Sequence, residues 1–224
     1  MARSPMATHV YLIRHGQTDW NRDGLCMGQT DVPLNPLGHE QAQRAAERLR
    51  DAAISTIVSS DLTRTRETAR PLAEIHGLEI ALDASLRELD YGNWQGVHQD
   101  ELPQRYPQAF RDDPRLDPLN FHPDGGERVR DLYDRVTTAF EGLIHRNLEE
   151  TIAIVAHGGV VRCLANYVLG RGAHASESIF FSLGFTVSNG GITLVRAAAD
   201  ETPQLMYLND TCHLASLPAS PDWA

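Results

Sequence analysis

TIAIVAHGGVVRCLANYVL, residues 151–169, decides the fold. Thr151–Ala156 is a short run of β-branched and small apolar residues without a polar break, the pattern of a strand buried on both faces. His157-Gly158-Gly159 ends it, and Val160–Leu169 continues as an apolar helix. A strand passing through a glycine turn into a helix is the start of an α/β layer. The same grammar recurs upstream. Val10–Ile13 reads as a strand, followed by a loop and then a helix over Pro36–Ala52 with Ala42, Ala45, Ala46 and Leu49 on one face. Ile54–Val58 is a second buried strand; Ser59-Ser60-Asp61 resembles an N-cap cluster opening a helix through Arg64, Thr68 and Leu72, which Pro71 is expected to kink or interrupt.

Leu78–Leu82, Ile192–Val195 and Leu205–Leu208 read as further strands, and Glu127–Leu148 as a helix. The expectation is an α/β fold, a three-layer α/β/α sandwich with a mostly parallel central sheet, as one domain over 1–224. About 86–126, with prolines at 103, 107, 114, 118 and 123, reads as an irregular excursion with short helices, a lid carrying specificity. About 214–224, with Pro218 and Pro221, reads as a loose tail.

Composition narrows the function classes. Thirty Asp plus Glu against twenty Lys plus Arg give a net charge of −10, a poor match for nucleic acid or anionic membranes. All twenty basic residues are Arg, so Schiff-base lysine chemistry and a Walker lysine are excluded. An anion held by this acidic chain needs positive charge concentrated locally, a task suited to the planar guanidinium fork. No apolar run reaches the ~20 residues of a membrane span. Met1–Thr8 lacks a secretory apolar stretch, and Cys26, Cys163 and Cys212 are too scattered for a disulfide framework or metal knuckle, so a cytoplasmic location is expected.

Chemistry-bearing residues sit where strands stop. Arg14-His15-Gly16 follows the first strand, with Thr18 and Asn21 close behind; Arg64 lies one turn beyond the second; His157-Gly158-Gly159 follows the strongest. In α/β sheets ligands bind beyond the carboxyl ends of the strands, so His15, Arg64 and His157 are expected at one edge. A histidine there is a nucleophile when one ring nitrogen is unprotonated, guanidinium groups oppose its protonation, and a second, protonated histidine adds a donor to a phosphoryl group in flight. Glycines beside each histidine let backbone N–H groups approach a phosphate. The leaving oxygen needs a proton, and Glu88 and Asp90 in LRELDYGNWQG, 86–96, are both candidates.

The chain resembles the histidine phosphatase superfamily, in the branch related to cofactor-dependent phosphoglycerate mutases. Five ordered blocks carry the resemblance: RHGQTDWN at 14–21, DVPLNPLGHEQA at 31–42, SSDLTRTRETA at 59–69, LRELDYGNWQG at 86–96 and VAHGGVVR at 155–162. It implies that His15 is the phosphorylated nucleophile and Glu88 the proton donor and acceptor. Arg14, Arg64 and His157 would complete the phosphate pocket, assisted by Asn21, Thr18, Gly28 and Gly158. No metal or other cofactor is implied. Met27 stands where many relatives carry Gln or Thr, and Arg128 where they often carry Ser, departures that bear on substrate identity.

The implied activity is a phosphomonoesterase acting on a small soluble phosphate ester through phosphohistidine. The alternative is a phosphoglycerate mutase, requiring a bisphosphoglycerate primer; a third reading is a non-catalytic phospholigand binder. Resembling mutases carry a longer insertion between the donor and the second histidine, and here that interval is 157 − 88 = 69 residues. A homodimer is compatible with the sequence, which does not reveal oligomeric state. His9, His39, His76, His98, His145 and His174 read as solvated, Cys163 as core, and His122 and His213 as near the site. Arg64 has a bland reading beside the functional one, an exposed residue pairing with Glu67 or Asp61; Glu88 likewise could pair with Arg87.

Overall fold

The computed structural model describes residues 7–110, 119–171, 185–198 and 202–218. In chain order the strands and helices are β1 Ala7–Arg14, α1 Asp19–Arg22, α2 Pro36–Arg48, β2 Ile54–Ser59, α3 Thr63–His76, β3 Ile80–Leu82, α4 Leu102–Arg105, α5 Val129–Arg146, β4 Thr151–Ala156, α6 Gly158–Arg171, β5 Ile192–Ala198 and β6 Gln204–Asp210. The sheet is six-stranded in the order β3-β2-β4-β1-β5-β6. Strands β3, β2, β4 and β1 run parallel, and β5 and β6 add antiparallel. The mixed sheet agrees with the expected sandwich, and its two antiparallel strands lie together at one edge.

β4 lies in the interior of this sheet, and its side chains divide two cores. Ile152, Ile154 and Ala156 join Val136 and Phe140 of α5 and Val160 and Leu164 of α6. Ala153 and Val155 face Ala45 and Ala46 of α2 and Ala69 and Leu72 of α3. Burial on both faces explains why the strand reads as a continuous apolar run. The pairing also fixes where the strands end: Arg14 lies opposite Ala156, and Ser59 opposite Val155. His15, Ser60 and His157 therefore leave the sheet side by side, although they come from distant parts of the chain.

Three local expectations change. Ser59-Ser60-Asp61 does not cap α3; Leu62 is the N-cap and makes no side-chain cap bond. The first turn is instead satisfied by Asp31, whose carboxylate accepts from Thr63 N at 2.7 Å and Thr63 Oγ1 at 2.8 Å. Pro71 lies inside α3, which runs unbroken to Gly77 in the left-handed conformation (φ 65°). α6 begins at Gly158, earlier than the apolar pattern suggests, because both glycines belong to its first turn.

The 86–110 part of the excursion has a small core of its own around Cys26, Trp94, Val97 and Leu102, with Trp94 stacked on Phe110 at 5.5 Å. Pro114, Pro118, His174 and the 219–224 end of the expected tail lie outside the described residues. Residues 212–214 form a single 3-10 turn, and Leu217 N donates to Leu214 O at 2.8 Å. Among the described residues no helix is long and apolar enough to cross a membrane.

The start of α2 packs directly on the loop after β1. Asn35 caps it, accepting from Gly38 N at 2.9 Å, with Pro36 in its first turn. A Cβ on Gly38 would stand 2.0 Å from Gln17 O, and one on Gly16 would stand 2.3 Å from Gly38 O. Both obstacles are backbone, so relief requires moving the helix. Gly38→Ala is expected to cost about 1–3 kcal/mol, which for a domain of this size lowers Tm by roughly 2–4 °C per kcal/mol. Calorimetry of the variant checks this; an unchanged Tm would contradict the close approach.

Candidate active site

His15 is buried at the end of β1, and its ring orientation follows from one bond. Its Nδ1 lies 2.7 Å from Gly16 O. A carbonyl oxygen can only accept, so Nδ1 carries the proton and Nε2 keeps its lone pair. Burial holds the imidazole well below its usual pKa, and the charges of Arg64 and Arg14 push the same way. The site therefore presents a neutral histidine with one free basic nitrogen.

The backbone beneath it is pinned by residues 187–190. Arg14 Nη1 donates to Val187 O, Gly190 N donates to Arg14 O and His15 O, and Asn189 Nδ2 donates to His15 O at 3.0 Å. Asn189 Nδ2 also lies 3.3 Å from Asn21 Oδ1. Asn21 and Thr18 form a reciprocal capping box on α1, Asn21 N donating to Thr18 Oγ1 and Thr18 N to Asn21 Oδ1, both at 3.1 Å. Both residues thus stand at the site and shape the loop that follows His15. Thr18 Oγ1 also lies 3.9 Å from Met27 Sδ, so Met27 is buried against that cap.

Arg64 is 0% exposed. Its Nη2 donates to Gly28 O at 2.7 Å, Nη1 to Thr30 O at 2.8 Å and Nε to His157 Nδ1 at 3.3 Å. Three of its five N–H groups are so engaged, which leaves two for a ligand. Burial pulls its pKa down to about 10, so it remains cationic at neutral pH. The bland pairings fail: Glu67 accepts from Leu34 N, and Asp61 takes both ends of Arg87 at 2.6 and 2.7 Å. Gly28 has φ +54°, and a Cβ there would strike Gln95 Oε1 at 2.6 Å. Gln95 Oε1 in turn accepts from Gln29 N and Thr30 N, holding the loop whose carbonyls face Arg64.

His157 lies between Arg64 and Ser60. Its Nδ1 accepts from Arg64, so the proton resides on Nε2, which donates to Ser60 Oγ at 3.0 Å. Burial, then the charge of Arg64, keeps it well below its usual pKa. The second histidine is neutral here rather than protonated, because a cationic ring beside a buried guanidinium is disfavoured. The rings of His15 and His157 meet edge to face at 5.3 Å.

The structure separates the two carboxylates. Glu88 Oε2 accepts from Gly159 N at 2.9 Å and Oε1 from Leu89 N at 2.8 Å, placing the carboxylate at the N-terminus of α6. A Cβ on Gly159 would lie 2.2 Å from Glu88 Oε1, and one on Gly158 would lie 3.4 Å from Arg14 Nε. Consecutive glycines thus bring Arg14 and Glu88 to one helix end. Asp90 Oδ1 instead accepts from Gly92 N at 2.9 Å, closing a local turn. Arg87 is committed to Asp61, so Glu88 is not its partner. Arg128 is an exposed residue paired with Asp131 at 3.1 Å. His213 reaches Gly190 O at 3.0 Å, and His122 reaches Pro123 O at 3.2 Å.

Ser60, Asn189, Gln95 and Thr30 enter the site without having been singled out for it in the sequence. Ser60 carried a signal, its place at a strand end, but reads equally well as a cap.

The family profile of the histidine phosphatase superfamily (branch 1) matches residues 10–211. A protein of Citrobacter koseri named "Probable phosphoglycerate mutase GpmB" is 38% identical over 174 residues, 76% of this chain and 79% of that protein. Phosphoglycerate mutase-like protein 4 of Arabidopsis thaliana is 42% identical over 159 residues, 69% of this chain and 68% of its own. Among solved structures, mycobacterial glucosyl-3-phosphoglycerate phosphatase in complex with VO3 superposes with a TM-score of 0.80 at 31% identity, covering 91% of this chain and 99% of that one.

The buried neutral histidines have a consequence for stability. Both folded-state pKa values lie below that of an unfolded histidine, about 6.5. As pH falls through that value, the unfolded chain takes up protons that the native site refuses, so stability is lost, by up to about 1.4 kcal/mol per pH unit per histidine. In phosphate-free urea titrations, His157→Gln is expected to lose less stability than wild type between pH 6.5 and 5.5. Identical pH slopes would contradict a neutral buried His157.

Proposed function

The chain belongs to the histidine phosphatase superfamily (branch 1) and is an enzyme of that family, and we propose that it is a phosphomonoesterase hydrolysing a small soluble phosphate ester through phosphohistidine. One observation carries the reading: His15 Nδ1 is bonded to Gly16 O, so Nε2 is the free nucleophilic nitrogen of a ring within the fields of Arg64 and Arg14. The mycobacterial phosphatase complex holds VO3, an oxyanion of the kind that this guanidinium pair suits.

In the first step His15 Nε2 attacks phosphorus. The ester P–O bond breaks, and Glu88, in the role of general acid, gives a proton to the departing alcohol. In the second step Glu88 takes a proton from water, the resulting hydroxide oxygen bonds to phosphorus, and the P–N bond breaks to release phosphate. Arg14 and Arg64 stabilise the oxygens of the transferring group, and the N–H groups at the start of α6 add dipolar support. The reading draws its charge stabilisation from guanidinium groups and assigns no role to a metal. Neighbouring His157 is neutral and acts as an acceptor that orients Arg64.

The curated relatives carry mutase names, so the mutase reading is tested alongside. Supplied with 3-phosphoglycerate and the bisphosphorylated primer, the enzyme is expected to release phosphate faster than it forms 2-phosphoglycerate. Faster isomerisation would overturn the hydrolase reading. In a second test, Glu88→Gln is expected to reduce kcat/KM for phenyl phosphate about 10²–10⁴-fold and for p-nitrophenyl phosphate much less, because nitrophenolate leaves without a proton. Equal losses on both esters would remove Glu88 as the acid.

A further inference from the structure

Glu88 can donate a proton only if its backbone delivers the carboxyl to the first turn of α6. What holds that backbone is a side chain from α5. Arg135 spends all five of its N–H groups: Nη1 donates to Ser85 O at 2.8 Å and Arg87 O at 2.7 Å, and Nη2 to Glu88 O at 3.0 Å. The remaining two go to Glu127, Nε to Oε1 at 2.7 Å and Nη2 to Oε2 at 2.8 Å. Glu127 is tied to the same segment, since its N–H donates to Asp90 O at 2.9 Å and its carboxylate lies 3.3 Å from Asp90 N. The 85–90 stretch is therefore gripped at four carbonyls and one N–H by two residues far along the chain. Gln29 Nε2 also donates to Glu88 O at 3.2 Å.

We propose that Arg135, with Glu127 as its fixed counter-charge, is a positioning residue for the proton-transfer step at Glu88. The proposal rests on the reading of Glu88 as general acid. It differs from a surface ion pair in two respects. The side chains of Arg135 and Glu127 are only 23% and 17% exposed. The guanidinium also bonds to three backbone carbonyls, of Ser85, Arg87 and Glu88, rather than to the carboxylate alone. With the Glu88 carbonyl held, only the side-chain torsions of Glu88 separate its carboxyl from the Gly159 N–H it meets. A guanidinium fork is needed for this, because an ammonium offers three donors from a single point and cannot span Ser85, Arg87, Glu88 and Glu127 together.

The test compares kcat/KM for phenyl phosphate and p-nitrophenyl phosphate in wild type, Glu88→Gln, Arg135→Lys, Glu127→Gln and the Glu88→Gln/Glu127→Gln double variant. Glu127→Gln preserves shape and one carbonyl acceptor, and serves if Arg135→Lys does not fold. The expected result is a selective loss: either single variant falls about tenfold or more on phenyl phosphate relative to its loss on p-nitrophenyl phosphate, within the range of a misplaced general acid. The double variant is expected to be no worse than Glu88→Gln, because a residue acting through Glu88 has nothing left to position. Equal losses on both esters, or losses in the double variant that multiply, would assign Arg135 and Glu127 a purely structural role and overturn the proposal. Should Glu88→Gln itself show no selectivity between the esters, the general-acid reading fails first and the proposal falls with it.

Discussion

A guanidinium withdrawn from solvent is the constraint on which the rest of the site depends. Arg64 has given up hydration and must recover it from acceptors inside the protein. It does so from the carbonyls of Gly28 and Thr30 and from the Nδ1 of His157. Those three bonds tie together the 28–30 loop, the start of α3 and the end of β4. They also set the tautomer of His157 and push His15 toward its neutral form. The same charge serves structure and chemistry, because the two N–H groups left over belong to a cation held where an anion would arrive.

The glycines follow from that arrangement. Gly16 and Gly38 let α2 close on the loop after β1, and Gly159 admits the Glu88 carboxylate to the end of α6. In each case the obstacle to a Cβ is another part of the machinery, so these positions are spatial necessities. The parallel register does the remaining work by ending β1, β2 and β4 at one level.

Much of this was readable in advance. Burial of β4 on both faces leaves an unbroken apolar run, and the rule that ligands gather at strand ends then brings His15, Arg64 and His157 together. Glu88 was different. Residues 86–96 offered two carboxylates, which residue type alone does not distinguish; the resemblance names Glu88, and in the structure the two have different partners, Gly159 N for Glu88 and Gly92 N for Asp90. The tautomer of His157 was not readable, because it depends on which atom of Arg64 faces it. Ser60, Asn189 and Arg135 stayed hidden for a related reason: they act through hydrogen bonds to backbone or side-chain partners remote in sequence, which leave no periodic trace. The uncapped start of α3 has the same origin, its cap coming from Asp31 across a loop.

The account stands on the free Nε2 of His15. Rapid mixing with p-nitrophenyl phosphate, quenching under alkaline conditions and mapping of the phosphorylated peptide by mass spectrometry and 31P NMR tests it most directly. The predicted result is an acid-labile phosphoryl group on the peptide containing residue 15, attached at Nε2 and missing in His15→Ala. Phosphorylation at Nδ1 of His15, at His157, or turnover with no phosphohistidine formed on the time scale of the reaction would contradict it.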